Sequence, residues 1–208
     1  MTPGQRQRIV DRHRDALKRH GWHARALYWS SREVQETRFA VLAEVGLQAG
    51  DRLLDVGCGF GDLAIFLRNR GHDVAYAGID LSPDLVRAGR ERYPGLDLRE
   101  GDLFDLDPAP ESFDVVMLSG ALNEGLGDGG EHARRVIERM YRTARRAVAL
   151  NLLDARNDWV ASRPDLQSFH PEAMQAFCAT FAQRCELREG YLDNDFTLFL
   201  YRQLNPAK

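Results

Sequence analysis

A chain of 208 residues fits one globular domain, which buries roughly 70% of its unfolded surface with no metal or disulfide to help. Cys58, Cys178 and Cys185 form neither a ligand-like cluster nor an even-numbered framework. No stretch approaches the roughly 20 apolar residues that span a bilayer, and the Arg-rich start lacks the apolar core of a secretory signal. The expectation is a soluble protein of a reducing cytoplasm, without metal or membrane.

The net charge of −3 hides a basic leader: residues 1–32 hold eight Arg or Lys against Asp11 and Asp15, a local +6. Residues 5–20 read as a helix with few apolar positions, expected to be a weakly packed surface appendage. The stretch from Gly21 to Trp29 is aromatic and irregular. Ser31 is placed to cap a helix over 32–45 that buries Val34, Phe39, Leu42 and Val45. We therefore expect a basic helical or lid segment over 1–31 and a globular domain over 32–208.

Short apolar runs then alternate with helical patterns. Strands are predicted at 52–56, 74–79, 96–99, 113–118 and 147–153, and helices at 63–70, 83–93 and 130–144. Strands that are apolar throughout and separated by helices indicate an α/β, Rossmann-like doubly wound sheet of about seven strands, mostly parallel. A helix near 171–182 leads to strands at 186–192 and 196–201. Only turn residues separate these two, so they should form an antiparallel C-terminal hairpin.

The first strand runs into Asp55-Val56-Gly57-Cys58-Gly59-Phe60-Gly61-Asp62. Gly57 permits a sharp turn, Gly59 lets a ligand approach bare backbone and Gly61 allows close packing at the helix start. The spacing lacks the last glycine of the dinucleotide fingerprint, and Asp62 at the helix N-terminus would repel a pyrophosphate. Asp80 ends the second strand, where a carboxylate accepts hydrogen bonds from ribose hydroxyls. Ser82, Pro83 and a Leu81–Val86 staple specify the helix that follows. Asp102 and the backbone N–H of Leu103 match the edge of an adenine. The ligand implied is a nucleoside. Each feature also has a structural explanation: a plain strand-to-helix turn, capping or solvated carboxylates, and Cys58 as a small residue that fits.

These motifs, with Phe113-Asp114-Val115-Val116 and the terminal hairpin, resemble a class I S-adenosylmethionine-dependent methyltransferase over roughly residues 32–202, of the small bacterial-type, small-molecule branch. The resemblance implies S-adenosyl-L-methionine as cofactor, held by Asp55, Gly57, Cys58, Gly59, Gly61, Asp80, Leu81, Asp102, Leu103 and Ser119, with Asp55 near the methionine ammonium. It implies a small-molecule acceptor methylated by in-line displacement, facing Tyr28, Trp29, Asn123 and Glu124. Catalytic bases to weigh are Glu124, His132 and His170. Alternatively, Asn123 and Glu124 cap a turn, His170 begins the last helix, and Tyr28 and Trp29 fill the gap beneath the leader. Gln35 and Arg38 either reach the methionine carboxylate or stand in solvent.

The loop Leu118–Gly125 lacks the signatures of base methylation, and nucleic acid is disfavoured as a partner. Arg135, Arg139, Arg142 and Arg146 on one side of the 130–144 helix nevertheless keep RNA or protein acceptors as the alternative, followed by a non-catalytic adenosyl-ligand-binding protein.

Overall fold

Strands β1 (Asp51–Val56), β2 (Val74–Asp80), β4 (Phe113–Ser119) and β5 (Ala144–Leu153) carry apolar side chains on both faces, so each needs cover above and below. The computed structural model describes residues 1–202 and supplies that cover in a seven-stranded sheet ordered β3-β2-β1-β4-β5-β7-β6, where β3 is Asp97–Glu100. The pairs β1–β2, β2–β3, β1–β4 and β4–β5 are parallel. β7 (Asp195–Tyr201) lies antiparallel to both β5 and the edge strand β6 (Arg184–Arg188).

On one face, α6 (Glu131–Thr143) and α8 (Pro171–Ala179) bury Ile137, Met140 and Met174 against Val116, Leu118 and Leu198. On the other, α2 (Arg32–Ala43) and α3 (Asp62–Asn69) bury Phe39, Leu42, Leu63 and Leu67 against Leu53 and Met117. α4 (Pro83–Arg92) opens on the Ser82 cap with Pro83 in its first turn, as the sequence predicts. The strand order reverses between β1 and β4, so the carboxyl ends of β1, β2 and β4 border one crevice.

Several boundaries differ from the sequence expectation. β6 ends at Arg188, because the polar run that follows forms the turn before β7. Val34 is only half-buried, while Gln35 and Arg38 are buried, so the inward stripe of α2 is rotated toward the crevice. Three short elements had no periodic signal: a 3-10 turn at Ala24–Leu27, α5 (Leu103–Leu106) and α7 (Asp158–Ala161).

The leader is the largest departure. α1 (Pro3–His20) starts on a Thr2–Gln5 capping box and buries only Val10 and Ala16. It is no loose appendage: polar contacts, described below, lay it across the mouth of the crevice. No described helix is long and apolar enough to cross a membrane.

Candidate active site

The glycine turn leaves β1 with Gly57 at φ +73°, and a Cβ there would lie 2.2 Å from Ala121 Cβ in the loop after β4. Only glycine combines that backbone with that approach. Gly61 packs instead against Leu96 and Leu98, supporting the turn from behind. Asp80 is buried and aims both carboxylate oxygens into the turn region. Oδ2 accepts from the Gly59 N–H at 2.9 Å and Oδ1 from the Ser82 N–H at 2.8 Å. Each oxygen keeps a lone pair for a further donor, as a ribose diol requires.

Asp55, also buried, accepts from the Tyr76 hydroxyl at 2.6 Å. Burial pushes its carboxyl up to about 7; the Tyr76 hydrogen bond opposes this, while Asp80 and Asp62 reinforce it. Burial likewise pushes the Cys58 thiol up, so Cys58 fits as a small residue and not as a nucleophile. Asp62 faces no ligand: Tyr93 donates to it at 2.8 Å and Gln35 at 3.4 Å.

These groups line a cleft of about 1550 Å³, a volume that includes open solvent at its mouth. The structure brings Asp55, Gly57, Cys58, Gly59, Asp80, Leu81 and Ser119 together there, along with Tyr28, Trp29, Asn123 and Glu124. Ser119 donates to Asn151 Oδ1 at 2.8 Å and Asn151 to Thr197 Oγ1 at 2.7 Å, which ties the end of β4 through β5 to β7.

Other expected residues stand elsewhere. Asp102 caps α5, accepting from the N–H groups of Phe104 and Asp105, and the Leu103 side chain is core; neither lines the cleft. His132 borders a small side recess beside Met1, with its pKa lowered by burial, by the N-terminal charge and by Arg135. His170 occupies the exposed N-cap position of α8, away from the cleft, so it begins the helix. Glu124 does line the cleft, but Arg8 and Arg12 both engage its carboxylate.

That pairing belongs to a set. Arg6 pairs with Asp102 and Asp105 after β3, Arg8 and Arg12 with Glu124 after β4, and Arg14 with Asp84 after β2. The basic leader thus meets an acidic rim formed by three strand-end loops, and its inner face adds Ile9, Arg12 and His13 to the cleft wall. His13 is the residue that the sequence reading missed; without the docked helix nothing distinguishes it from other leader residues.

The opposite wall comes from residues 154–170. Gln167 N–H donates to Asn123 O and Gly125 N–H to Asp165 O, both at 2.9 Å, which stitches this insert to the loop after β4. It brings Trp159 and Leu166 to the cleft. Arg38 is neither solvated nor free: it donates to both oxygens of Asp195 and stacks 4.4 Å from the Trp29 ring centroid. Of the four arginines expected on that side of α6, Arg139 is held by Asp107 and Arg146 by Asp51, while Arg135 and Arg142 are exposed.

A family model described as a methyltransferase domain matches residues 53–147. The trans-aconitate 2-methyltransferase of Mycobacterium tuberculosis (strain ATCC 25177 / H37Ra) is 38% identical over 85 residues, 41% of this chain and 31% of the relative. The chain therefore spans about a third of the length of the curated relatives it matches. An Aquifex aeolicus S-adenosylmethionine-dependent methyltransferase superposes with a TM-score of 0.63 at 15% identity, covering 82% of this chain and 93% of that one. The [4+2]-cyclase SpnF does so with a TM-score of 0.62 at 21% identity, covering 77% and 62%. Residues 53–147, from β1 into β5, are thus similar to a methyltransferase domain, and the chain shares its fold with S-adenosylmethionine-dependent methyltransferase structures.

Proposed function

We propose that the chain transfers a methyl group from S-adenosylmethionine to a small-molecule acceptor. The observation that carries this reading is the roofed cleft: α1 is latched across the strand ends that hold Asp55, Asp80 and Ser119, leaving a cleft bounded by the 154–170 insert and open to solvent at its mouth. A macromolecular acceptor would have to displace that roof, and the pairing of Arg139 and Arg146 removes half of the basic stripe that favoured RNA. Trans-aconitate is a small molecule, so the curated relative's name supports the same class.

The residues present fit the cofactor. Asp80 has spare lone pairs for a ribose diol and would reject a 2′-phosphate. Asp55 answers an ammonium, and Gly57 lets the loop after β4 close, at Ala121, against the turn that carries it. When bound, S-adenosylmethionine supplies an electrophilic methyl carbon on a cationic sulfur. The chain's contribution is alignment and exclusion of water by α1 and the insert, which for a good leaving group is worth several kcal/mol without a dedicated base. An acceptor proton would leave to solvent or to His13, the histidine that lines the cleft.

The test is direct. S-adenosylhomocysteine should bind by isothermal titration calorimetry while NAD does not, and radiolabelled methyl should pass into a small-molecule extract rather than into RNA or protein. Label in macromolecules alone would overturn the acceptor class. Binding without transfer to any fraction would favour the second reading, an adenosyl-ligand-binding protein with other chemistry; the likeness to a fold neighbour named as a cyclase gives that reading its basis.

A further inference from the structure

We propose that the acceptor is an uncharged, ring-bearing molecule with an O–H or N–H donor, and not a carboxylate-rich one; this deepens the methyltransferase reading and rests on it.

The first ground is charge. An acidic acceptor needs free cations, and both arginines lining the cleft are engaged. Arg12 is paired with Glu124 and lies 4.7 Å from the Tyr28 ring centroid. Arg38 gives two hydrogen bonds to Asp195, which is buried, so releasing Arg38 to a ligand would strand a carboxylate out of water. The carboxylates of Asp55 and Asp80 add negative field to the same space. A polyanion would meet repulsion with no free guanidinium to offset it.

The second ground is surface. Away from the glycine turn, the cleft is walled by Leu153, Leu166, Leu192, Trp29 and Trp159. Trp159 is 59% exposed although it stands at the cleft, on the insert that the Asn123–Gln167 hydrogen bond fixes in place. A largely exposed indole on a fixed wall, with Arg163 5.2 Å from its ring centroid, is a stacking platform for a ring.

The third ground is a single atom. Asn123 Oδ1 is buried and has no hydrogen-bond partner among the described residues, while the Asn123 backbone oxygen is already taken by Gln167 N–H. Asn123 lines the cleft, and an amide oxygen in that position calls for a donor from the bound molecule.

The experiment is calorimetric titration of the S-adenosylhomocysteine complex with 1-naphthol, indole, 1-methoxynaphthalene and trans-aconitate. We expect 1-naphthol and indole to bind, 1-naphthol about tenfold tighter than its donorless methyl ether, as one unmet amide oxygen implies. Trans-aconitate should show no saturable binding. Asn123→Ala should erase the preference of 1-naphthol over the ether, and Trp159→Ala should weaken both naphthalenes severalfold. Far-UV circular dichroism reports whether each variant is folded, and Trp159→Phe should retain most of the affinity if stacking is the cause. Tighter binding of trans-aconitate than of 1-naphthol, no binding of 1-naphthol or of indole, or an unchanged preference in folded Asn123→Ala would each overturn the proposal. Failure to bind S-adenosylhomocysteine at all would instead sink the methyltransferase reading beneath it.

Discussion

The native protein should show a pH dependence of cofactor affinity near neutrality, and replacing Asp55 with asparagine should abolish it. Asp55 is only 3% exposed, and burial above all holds its carboxyl near 7 despite the Tyr76 hydrogen bond. An ammonium beside it pairs only with the ionised form. The pKa is therefore lower in the complex than in the free protein, and binding expels a proton below neutrality. Affinity must rise with pH and level off above about 7. From about pH 6 to about pH 7.5 the ionised fraction climbs from about 0.09 to about 0.76, an affinity gain of about eightfold or ~1.3 kcal/mol. Calorimetric titration with S-adenosylhomocysteine at both pH values, in two buffers of different ionisation enthalpy, measures the affinity and the released proton together. Asp55→Asn keeps the shape and still accepts from Tyr76, yet it should bind equally at both. A flat profile in the native protein, or the same slope in Asp55→Asn, would refute the argument.

Three further outcomes follow from packing. Gly57→Ala forces a methyl group to within 2.2 Å of Ala121 Cβ at a left-handed backbone, so we expect a loss of about 1–2 kcal/mol from strain plus a further penalty from overlap, read as a lower urea midpoint and more than about tenfold weaker S-adenosylhomocysteine binding. Arg38→Leu strands the buried Asp195 and should cost about 3–5 kcal/mol of stability, most of it recovered in Arg38→Leu/Asp195→Leu; a single variant as stable as the native protein in urea would contradict this. The pairs that latch α1 are partly exposed, so each is weak and screened by salt. Raising salt, or making Arg6→Ala with Arg14→Ala, should therefore speed amide hydrogen exchange in residues 3–20 while leaving β4 protected, and equal protection of α1 under both conditions counts against the latch.

Much of the fold was legible in the chain because its signals are local. Apolar runs, the Ser82–Pro83 helix start and the turn-separated final strands each need only a few neighbouring residues to be read. The polar alternation of Arg184–Arg188 beside the largely apolar, almost wholly buried β7 even explains why β7 lies inside the sheet and β6 at its edge. α5 and α7 were invisible because one helical turn has no periodicity to detect. Asp102 is ambiguous in the sequence, since a carboxylate before a short helix suits a cap as well as an adenine, and in the structure its Oδ1 accepts two helix N–H groups.

Alone, the sequence determined the doubly wound sheet, the glycine turn and its partner Asp80, since those depend on short-range spacing and on strand ends that the topology must bring to one edge. Only the tertiary structure decided what the basic leader does. Its charges are spent on Asp84, Asp102, Asp105 and Glu124, residues some 70 to 120 positions away in the chain. It also decided that Arg38 is locked to Asp195, that His170 and His132 stand outside the main cleft, that Trp159 stays exposed at it and that Asn123 Oδ1 is buried without a partner among the described residues. The physical reason is that a charge or a polar atom takes its meaning from the partner it meets, and those partners come together only when the sheet and the leader pack.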